Sequence, residues 1–171
     1  GRGFNGSDAQ SGNPLLILTA GTYTLTVFGS GDSVAGYQFR LFDLTTAPTV
    51  TPGSPITGTI TGGNSTDAYQ FTVSTTGRYF YNFQSSTGTQ NSYLRLVDPY
   101  GNFIFATGIG SDFGPVTLLP GTYYLLVEGY IGDTANANYA FTFNPTSDGA
   151  QTLTVGTLVS GAITASGSVQ K

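Results

Sequence analysis

The sequence predicts an all-β sandwich module that is repeated in tandem and contains no significant helix. Three observations predict it. Apolar and polar residues alternate with a period of two along most of the chain, as in strands with one buried face. The 25 Gly and 8 Pro residues lie mostly between these alternating runs. Finally, Gly21-Thr22-Tyr23 recurs as Gly121-Thr122-Tyr123, 100 residues later, which indicates a repeated unit.

The alternating runs predict the strands in chain order. The clearest is 22–27, in which Tyr23, Leu25 and Val27 alternate with three Thr residues. The predicted strands are 22–27, 37–41, 69–73, 79–83, 94–96, 103–105, 123–127 and 139–143. Between them, Gly62-Gly63-Asn64 and residues 98–102 predict tight turns, because Gly and Asn tolerate positive φ and Pro presets φ.

The repeat divides the chain into one whole module and parts of two others. Three segments recur: 18–27 as 119–127, 36–39 as 138–141, and 56–60 as 159–163. We therefore expect 1–47 to be the C-terminal part of one β-sandwich module, 48–147 to be a complete module, and 148–171 to be the opening strands of a further module or a donated strand. Linkers that contain Pro and Thr, 45–55 and 144–149, mark the two boundaries.

Neither end supplies a counterpart of residues 69–100, so the two ends of one chain do not complete a second sandwich. Open sheet edges are prone to aggregation and have to be closed. There are two alternatives for what closes these edges. The chain is a window of a longer tandem protein whose next module closes the edge, or strand addition between chains closes it and builds a filament.

Composition narrows the function classes. Charged residues are only 8% of the chain and the formal net charge is −4, so there is no basic patch for nucleic acid or an anionic membrane surface. No apolar run is long enough to predict a membrane-spanning helix. With no Cys and no His, the chain lacks a disulfide framework, a thiol nucleophile and the commonest general base. The Thr-, Gly-, Asn- and Tyr-rich composition is typical of bacterial surface proteins, which predicts a secreted or cell-surface location.

A set of motifs carries a family resemblance. In order, they are Gly58-Thr59-Ile60, residues 67–73, Gly77, residues 94–101 with Asp-Pro-Tyr-Gly, residues 120–127 with Gly-Thr-Tyr-Tyr, and residues 138–141. The central module that carries them resembles the bacterial pre-peptidase C-terminal (PPC) domain, which is related to collagenase collagen-binding domains. The resemblance implies a jelly-roll-like sandwich and a secreted, non-catalytic accessory or adhesive module that sometimes binds calcium.

Carboxylates are the first candidate site residues, and in the central module they are Asp67, Asp98, Asp112, Glu128 and Asp133. A glycosidase needs only two carboxylates. However, all five are expected in turns or at strand ends, where Asp caps backbone N–H groups. We predict no catalytic pair and no enzyme.

Calcium is the candidate metal, because it takes six to eight oxygen ligands from flexible loops. The predicted ligands are Asn64, Asp67, Glu128 and Asp133. The alternative is that Asp67 only caps the turn before the strand at Tyr69. No other cofactor is predicted.

Tyrosines are the candidate contact residues, since Tyr offers an apolar ring face and a hydroxyl. Tyr100, Tyr124 and Tyr130 are expected to point outward or to lie in turns, whereas Tyr79, Tyr81 and Tyr123 are expected in the core. The alternative for the outer tyrosines is partial burial against a neighbouring module.

These observations predict a non-catalytic structural or adhesive repeat module of a bacterial surface fibre, filament or large adhesin, assembled by module packing and strand complementation. Its expected partners are neighbouring modules or identical subunits. The alternative is a carbohydrate- or collagen-binding accessory domain of a secreted hydrolase, with polysaccharide or collagen as the partner.

Overall fold

Eight antiparallel strands, all between residues 55 and 146, form the fold in a computed structural model that describes residues 3, 15–62, 65–88, 91–150 and 152–170. The strands are β1 (Pro55–Ile60), β2 (Thr66–Val73), β3 (Gly77–Thr87), β4 (Tyr93–Val97), β5 (Phe103–Gly108), β6 (Phe113–Leu118), β7 (Gly121–Glu128) and β8 (Ala137–Thr146). Within the described ranges the helical content is one 3-10 turn, Leu44–Thr46. None of the helices there is long and apolar enough to cross a membrane.

The strands form two four-stranded sheets, with orders β1-β8-β3-β6 and β2-β7-β4-β5. Two stacked antiparallel sheets of eight strands in all, with every consecutive pair except β4 and β5 divided between them, are the architecture of a jelly roll. The prediction of an all-β sandwich is therefore confirmed. One sandwich is formed, so repetition in tandem stays a prediction.

The core lies between the inner faces of the two sheets and is rich in aromatic rings. Phe71 stacks on Tyr123 with ring centroids 5.6 Å apart and contacts Phe143 at 5.3 Å. Tyr81 is buried, and its hydroxyl donates to the Ile109 carbonyl at 2.6 Å, which satisfies the polar end of the ring. Tyr123 is buried and Tyr79 is half-buried against the same cluster, as the alternation predicts.

The turn between β4 and β5 follows the predicted chemistry. Gly101 has a φ of 78°, which favours glycine, and its N–H donates to the Asp98 carbonyl at 3.0 Å. The Asp98 carboxylate also accepts from the N–H groups of Tyr100 and Asn102. In the other predicted turn, Gly62 has a φ of 71°, while residues 63 and 64 lie outside the described residues.

The outer face of the β2-β7-β4-β5 sheet is buried as well. Its cluster consists of Ala47, Ala68, Val97 and Leu126, with Leu15, Leu44 and Tyr124 packed against it. Arg95, which the alternation predicts on a wet face, is only 2% exposed. That prediction is wrong because residues 15–47 supply side chains that cover this face.

The N-terminal flank of the sandwich differs from the sequence prediction, which placed two strands there. Residues 22–27 and 37–41 form no strand, and they present apolar side chains such as Leu25 and Leu41 to the surface. Their counterparts in the sandwich, β7 and β8, pair with β1, β2, β3 and β4. β2, β3 and β4 lie largely within residues 69–100, and the sequence holds no second copy of that stretch. Residues 22–27 and 37–41 therefore have no second set of these strands with which to pair.

Candidate functional site

The predicted calcium ligands are divided between the two faces of one sheet. Asp67 pairs with Val127, whose side chain lies in the core, and Glu128 pairs with Thr66. Because successive residues of a strand point to opposite faces, Asp67 points inward and Glu128 points outward. The structure therefore does not bring these two carboxylates together around one ion.

Glu128 is held by another residue. Its Oε2 lies 3.0 Å from Arg95 Nε, and both side chains are almost fully buried. The Arg95 guanidinium carbon also lies 5.1 Å from the centroid of the Phe103 ring. A buried carboxylate requires a compensating charge, and Arg95 supplies it. Sequence reasoning missed Arg95 because its neighbours Leu94 and Leu96 suggested a simple alternating strand.

Asp133 lies in the loop between β7 and β8, where its N–H donates to the Tyr130 carbonyl at 2.9 Å. Its Oδ2 is buried and accepts no hydrogen bond from the described residues. Asn64 lies outside those residues. Within the described ranges, no three acidic, Cys or His side chains cluster in a way that could hold a metal ion. Calcium binding stays a prediction.

Asp67 belongs to a hydroxyl network at the β1 edge of the sandwich. Tyr139 Oη donates to Asp67 Oδ2 at 2.7 Å and lies 2.5 Å from Tyr69 Oη. Burial, and then its bonds to Tyr69 and Asp67, raise the pKa of Tyr139 well above its usual value. Burial likewise raises the pKa of Tyr69. Both tyrosines are therefore neutral at physiological pH and act as hydrogen-bonding groups.

Gly58 completes this network by having no side chain. It lies opposite Tyr139 in the β1–β8 ladder, and a Cβ atom built on it would meet the Tyr139 hydroxyl at 2.2 Å. The Tyr139 ring thus occupies the space above Gly58. A sequence signal for this pair exists: the same two residue types recur in the repeat as Gly161 and Tyr37.

Two other acidic residues have the capping roles that the sequence predicts. Asp98 caps its own turn, and Asp112 Oδ1 accepts from the Phe83 N–H at 2.8 Å. For Asp98, burial raises the pKa, but hydrogen bonds from the Asn102 side chain and the N–H groups of Asn102 and Tyr100 outweigh it and leave the pKa below its usual value. These carboxylates hold backbone groups in place.

The three candidate contact tyrosines have different environments. Tyr100 is 75% exposed at the tip of the β4–β5 turn. Tyr124 is half-buried against the outer cluster of Ala47, Ala68, Val97 and Leu126. It is thus partly buried, as in the alternative, but against residues of this chain. Tyr130 is half-buried in the β7–β8 loop. Only Tyr100 of the three presents most of its ring surface to a partner.

The flanking segments keep local features of the module. Tyr123 Oη donates to the Leu119 carbonyl at 2.8 Å, four residues earlier. Its counterpart Tyr23 donates in the same way to the Thr19 carbonyl at 2.6 Å. The repeat therefore extends from the residue pattern to a hydrogen bond of the same spacing.

The flanking segments contact different faces of the sandwich. On one side, Arg40 Nη2 donates to the Thr66 carbonyl of β2 at 3.0 Å. On the other, Asp148 forms an ion pair with Arg78 of β3, and Gly167 lies against the ring of Phe80. The N-terminal flank thus contacts the β2-β7-β4-β5 sheet through Leu15, Arg40, Leu44 and Ala47, and the C-terminal flank contacts the opposite sheet through Asp148 and Gly167.

No family model and no curated protein matches the sequence. Among solved structures, the chain is similar to the pre-peptidase C-terminal domain of a collagenase from Bacillus anthracis, with 21% identity over 57% of this chain and 94% of that chain and a TM-score of 0.44. It is also similar to PliG, a periplasmic lysozyme inhibitor of g-type lysozyme. For PliG from Aeromonas hydrophila the identity is 14% over 58% of this chain and 96% of that chain, with a TM-score of 0.43. For PliG from Salmonella Typhimurium the identity is 15% over 57% of this chain and 98% of that chain, with a TM-score of 0.40. The first of these structures is a domain of the kind that the sequence motifs resemble.

Proposed function

We propose that this chain is a non-catalytic structural repeat module of a bacterial surface fibre, filament or large adhesin, located outside the cell. Modules assemble by packing on one another and by exchanging strands. The observation that carries the proposal is the distribution of exposed apolar side chains. Among the described residues, the large hydrophobic side chains that are exposed on the sandwich are Tyr100, Phe103, Phe113 and Leu119; the others lie in the flanking segments.

The C-terminal flank shows this most clearly. Val155 and Leu158 are almost completely exposed, and Leu153 is 64% exposed. The segment from Gly149 to Gln170 has no charged residue that would keep such a surface in water. Exposed apolar surface of this extent is typical of an interaction site.

The carboxylates support the non-catalytic part of the proposal. Glu128 forms an ion pair with Arg95, Asp67 accepts from Tyr139, and Asp98 and Asp112 cap backbone groups. Each is engaged in holding the fold together. Assembly is therefore the function that the exposed surface supports best.

Electron microscopy and light scattering of the purified 171-residue chain test the proposal. We expect elongated assemblies and masses that are multiples of 17.8 kDa. Replacing Val155 and Leu158 by Ser should shift the population toward monomers, because it removes exposed apolar contacts. Leu119→Ser is the control: it also replaces an exposed apolar side chain by Ser, but on the sandwich, and should leave assembly unchanged. Compact monomers of the unchanged chain at all concentrations would contradict the proposal.

One observation favours a second candidate, a carbohydrate- or collagen-binding accessory domain of a secreted hydrolase. Tyr100 is exposed, and its turn is held rigidly by hydrogen bonds from the N–H groups of Tyr100 and Asn102 to Asp98. A rigid aromatic ring is a low-entropy contact for a sugar face or a peptide.

A further inference from the structure

The edge of the sandwich shows how an opening strand of this module is held. β1 pairs with β8 and, within the described part of the chain, with no other strand of its sheet. The core-facing pairs of this ladder are Ile56 with Phe141, Gly58 with Tyr139, and Ile60 with Ala137. All of these except Gly58 are buried, so β1 is held largely by apolar contacts to β8 and the core.

Both strands of this ladder have counterparts in the flanking segments of the same chain. The β1 residues correspond to Val159, Gly161 and Ile163, and the β8 residues correspond to Phe39, Tyr37 and Ala35. When the β1–β8 register is transferred to the counterparts, it pairs Val159 with Phe39, Gly161 with Tyr37, and Ile163 with Ala35. Every pair keeps the same residue types except for Ile56, which becomes Val159.

The Gly–Tyr pair makes this match specific. In β1–β8 the Tyr139 ring fills the space above Gly58, and a Cβ there would lie 2.2 Å from the hydroxyl oxygen. Gly161 leaves the same space for Tyr37. A shift of register by one residue would place Ser160 or Ala162 opposite Tyr37 and turn the apolar side chains to the other face.

The counterparts expose more of their apolar surface than the corresponding residues of the sandwich do. Tyr37 is 58% and Phe39 49% exposed, and Val159 and Ile163 are 47% and 58% exposed. The corresponding residues of the sandwich are all 4% exposed or less. Pairing in the transferred register would therefore remove apolar surface from water on both sides.

The position of the flanks indicates which molecule supplies the partner. The N-terminal flank contacts the β2-β7-β4-β5 sheet where Arg40 donates to Thr66, and the C-terminal flank contacts the opposite sheet where Gly167 lies against Phe80. These two contacts lie on opposite sheets of one copy, which favours a partner segment from a second copy. Neither segment 35–39 nor segment 159–163 carries a charge that opposes contact.

We propose that residues 159–163 of one copy pair as an antiparallel strand with residues 35–39 of a second copy, in the register of β1 and β8. This inference rests on the proposed assembly function and names the two segments and the register that it uses. Because the two segments are different surfaces of one chain, the contact is heterologous, and its repetition builds an open chain of copies rather than a closed dimer.

Disulfide trapping tests the register. Because the chain has no native Cys, only the introduced cysteines can form a disulfide. Ser160 and Gln38 correspond to Thr57 and Ala140, which are directly paired in β1–β8. Directly paired Cα atoms are about 4.5–5.5 Å apart, within the range that a disulfide spans. When Ser160→Cys and Gln38→Cys chains are mixed under mild oxidation, we expect a disulfide-linked heterodimer. A Thr57→Cys/Ala140→Cys chain is the positive control and should form the bond within the sandwich.

Gly36→Cys is the matched control for register, because it lies on the same face two residues from Gln38 and nothing lies within 4 Å of its Cβ position. Its yield with Ser160→Cys should be several-fold lower. Equal yields would overturn the register. A Ser160→Cys/Gln38→Cys double variant that closes the bond within one chain, with no linked dimers, would overturn the second copy as the partner.

Gly161→Ala supplies an independent readout. A methyl group facing Tyr37 should weaken association about tenfold or more, as overpacking does, while the melting temperature of the sandwich stays unchanged. Adding Tyr37→Ala to the same chain should restore part of the association by removing the clash. Filaments that form without the in-register disulfide would overturn this inference alone, whereas monomers throughout would overturn the proposed function as well.

Discussion

Gly58 lies directly opposite Tyr139 in the β1–β8 ladder, and the Tyr139 ring occupies the volume that a side chain at Gly58 would fill. The ring is held there by hydrogen bonds to Asp67 and Tyr69. This relationship joins an edge strand to the core, and its residue types recur in the flanking segments as Gly161 and Tyr37. It therefore bears on the stability of one sandwich and on the proposed joining of two copies.

Gly58→Ala should destabilise the sandwich by about 1–3 kcal/mol, because the new methyl group forces the Tyr139 ring out of its position. Denaturant unfolding followed by tyrosine fluorescence measures the change. Gly108→Ala is the control: Gly108 also lies in a strand, and nothing lies within 4 Å of its Cβ position. Equal effects of the two substitutions would show that the Tyr139 contact is not the cause.

Removing one partner of the buried Arg95–Glu128 pair should cost about 3–5 kcal/mol of unfolding free energy, because a charge is left buried without compensation. Arg95→Met is the test. Arg78→Met is the control, since the Arg78–Asp148 pair is partly exposed and such pairs contribute about 0–1 kcal/mol. The double change Arg95→Met/Glu128→Leu should recover most of the loss. Similar losses for both single variants would contradict the special role of the buried pair.

The lowered pKa of Asp98 predicts that the folded chain loses stability in acid. Its pKa in the folded chain is below the usual value, so its stabilising contribution is fully present above the ordinary Asp pKa of about 3.9. The contribution is lost as the pH falls through the lower folded pKa. Asp98→Ala should therefore lower the melting temperature at pH 7, and the difference from the unchanged chain should shrink below pH 4. Asp32→Ala, at an exposed position of the N-terminal flank, is the control and should leave the melting temperature at pH 7 unchanged.

The accessory-domain alternative predicts binding through Tyr100. Tyr100→Ala should weaken binding to a responsive glycan or to collagen without changing the melting temperature, because the ring is exposed. Tyr124→Ala and Tyr130→Ala separate contact from packing; Tyr124→Ala should lower the melting temperature, because that ring packs on the outer cluster. A glycan array and collagen-coated surfaces are the measurements. No binding of the unchanged chain to any of them would remove this alternative.

Calcium binding is checked by thermal unfolding. An ion that binds only the folded chain raises the melting temperature with concentration, and EDTA should reverse the rise. Asp133→Asn should remove the response, because a buried oxygen of Asp133 accepts no hydrogen bond from the described residues. Glu128→Gln should destabilise the chain at every calcium concentration, since Glu128 neutralises Arg95. An unchanged melting temperature would end the calcium prediction.

Local sequence chemistry predicted most of the strands and the inner core. Tyr69, Phe71 and Val73 alternate as one strand face, and the structure places them on or against the core. Pro99 and Gly101 predicted the β4–β5 turn. The alternating runs include neither β1 nor β6, and β6 contains Gly114-Pro115 and shows no clean alternation. An edge strand tolerates Pro, since one side of it forms no ladder, and β6 pairs with β3 alone.

The candidate site was predicted less well, and the reason is the range of the interactions. The sequence groups Asp67 with the closely spaced Asn64, and adds Glu128 or Asp133 from another loop. The one-residue offset between Asp67–Val127 and Thr66–Glu128 in the β2–β7 ladder puts Asp67 and Glu128 on opposite faces. That offset follows from strand pairing between segments about 60 residues apart, which no local pattern contains.

The sequence by itself determined the all-β class, the strand faces of the central module and the correspondence between its edge strands and the flanking segments, because periodicity, turn residues and repetition are local or self-comparing properties. Only the tertiary structure decided that residues 15–47 cover the outer face of one sheet, and so that Arg95 and Glu128 are buried together. It also decided that the Tyr139 ring needs Gly58 beneath it. Burial and close approach depend on which distant segment lies over a face, and alternation along a strand carries no information on that.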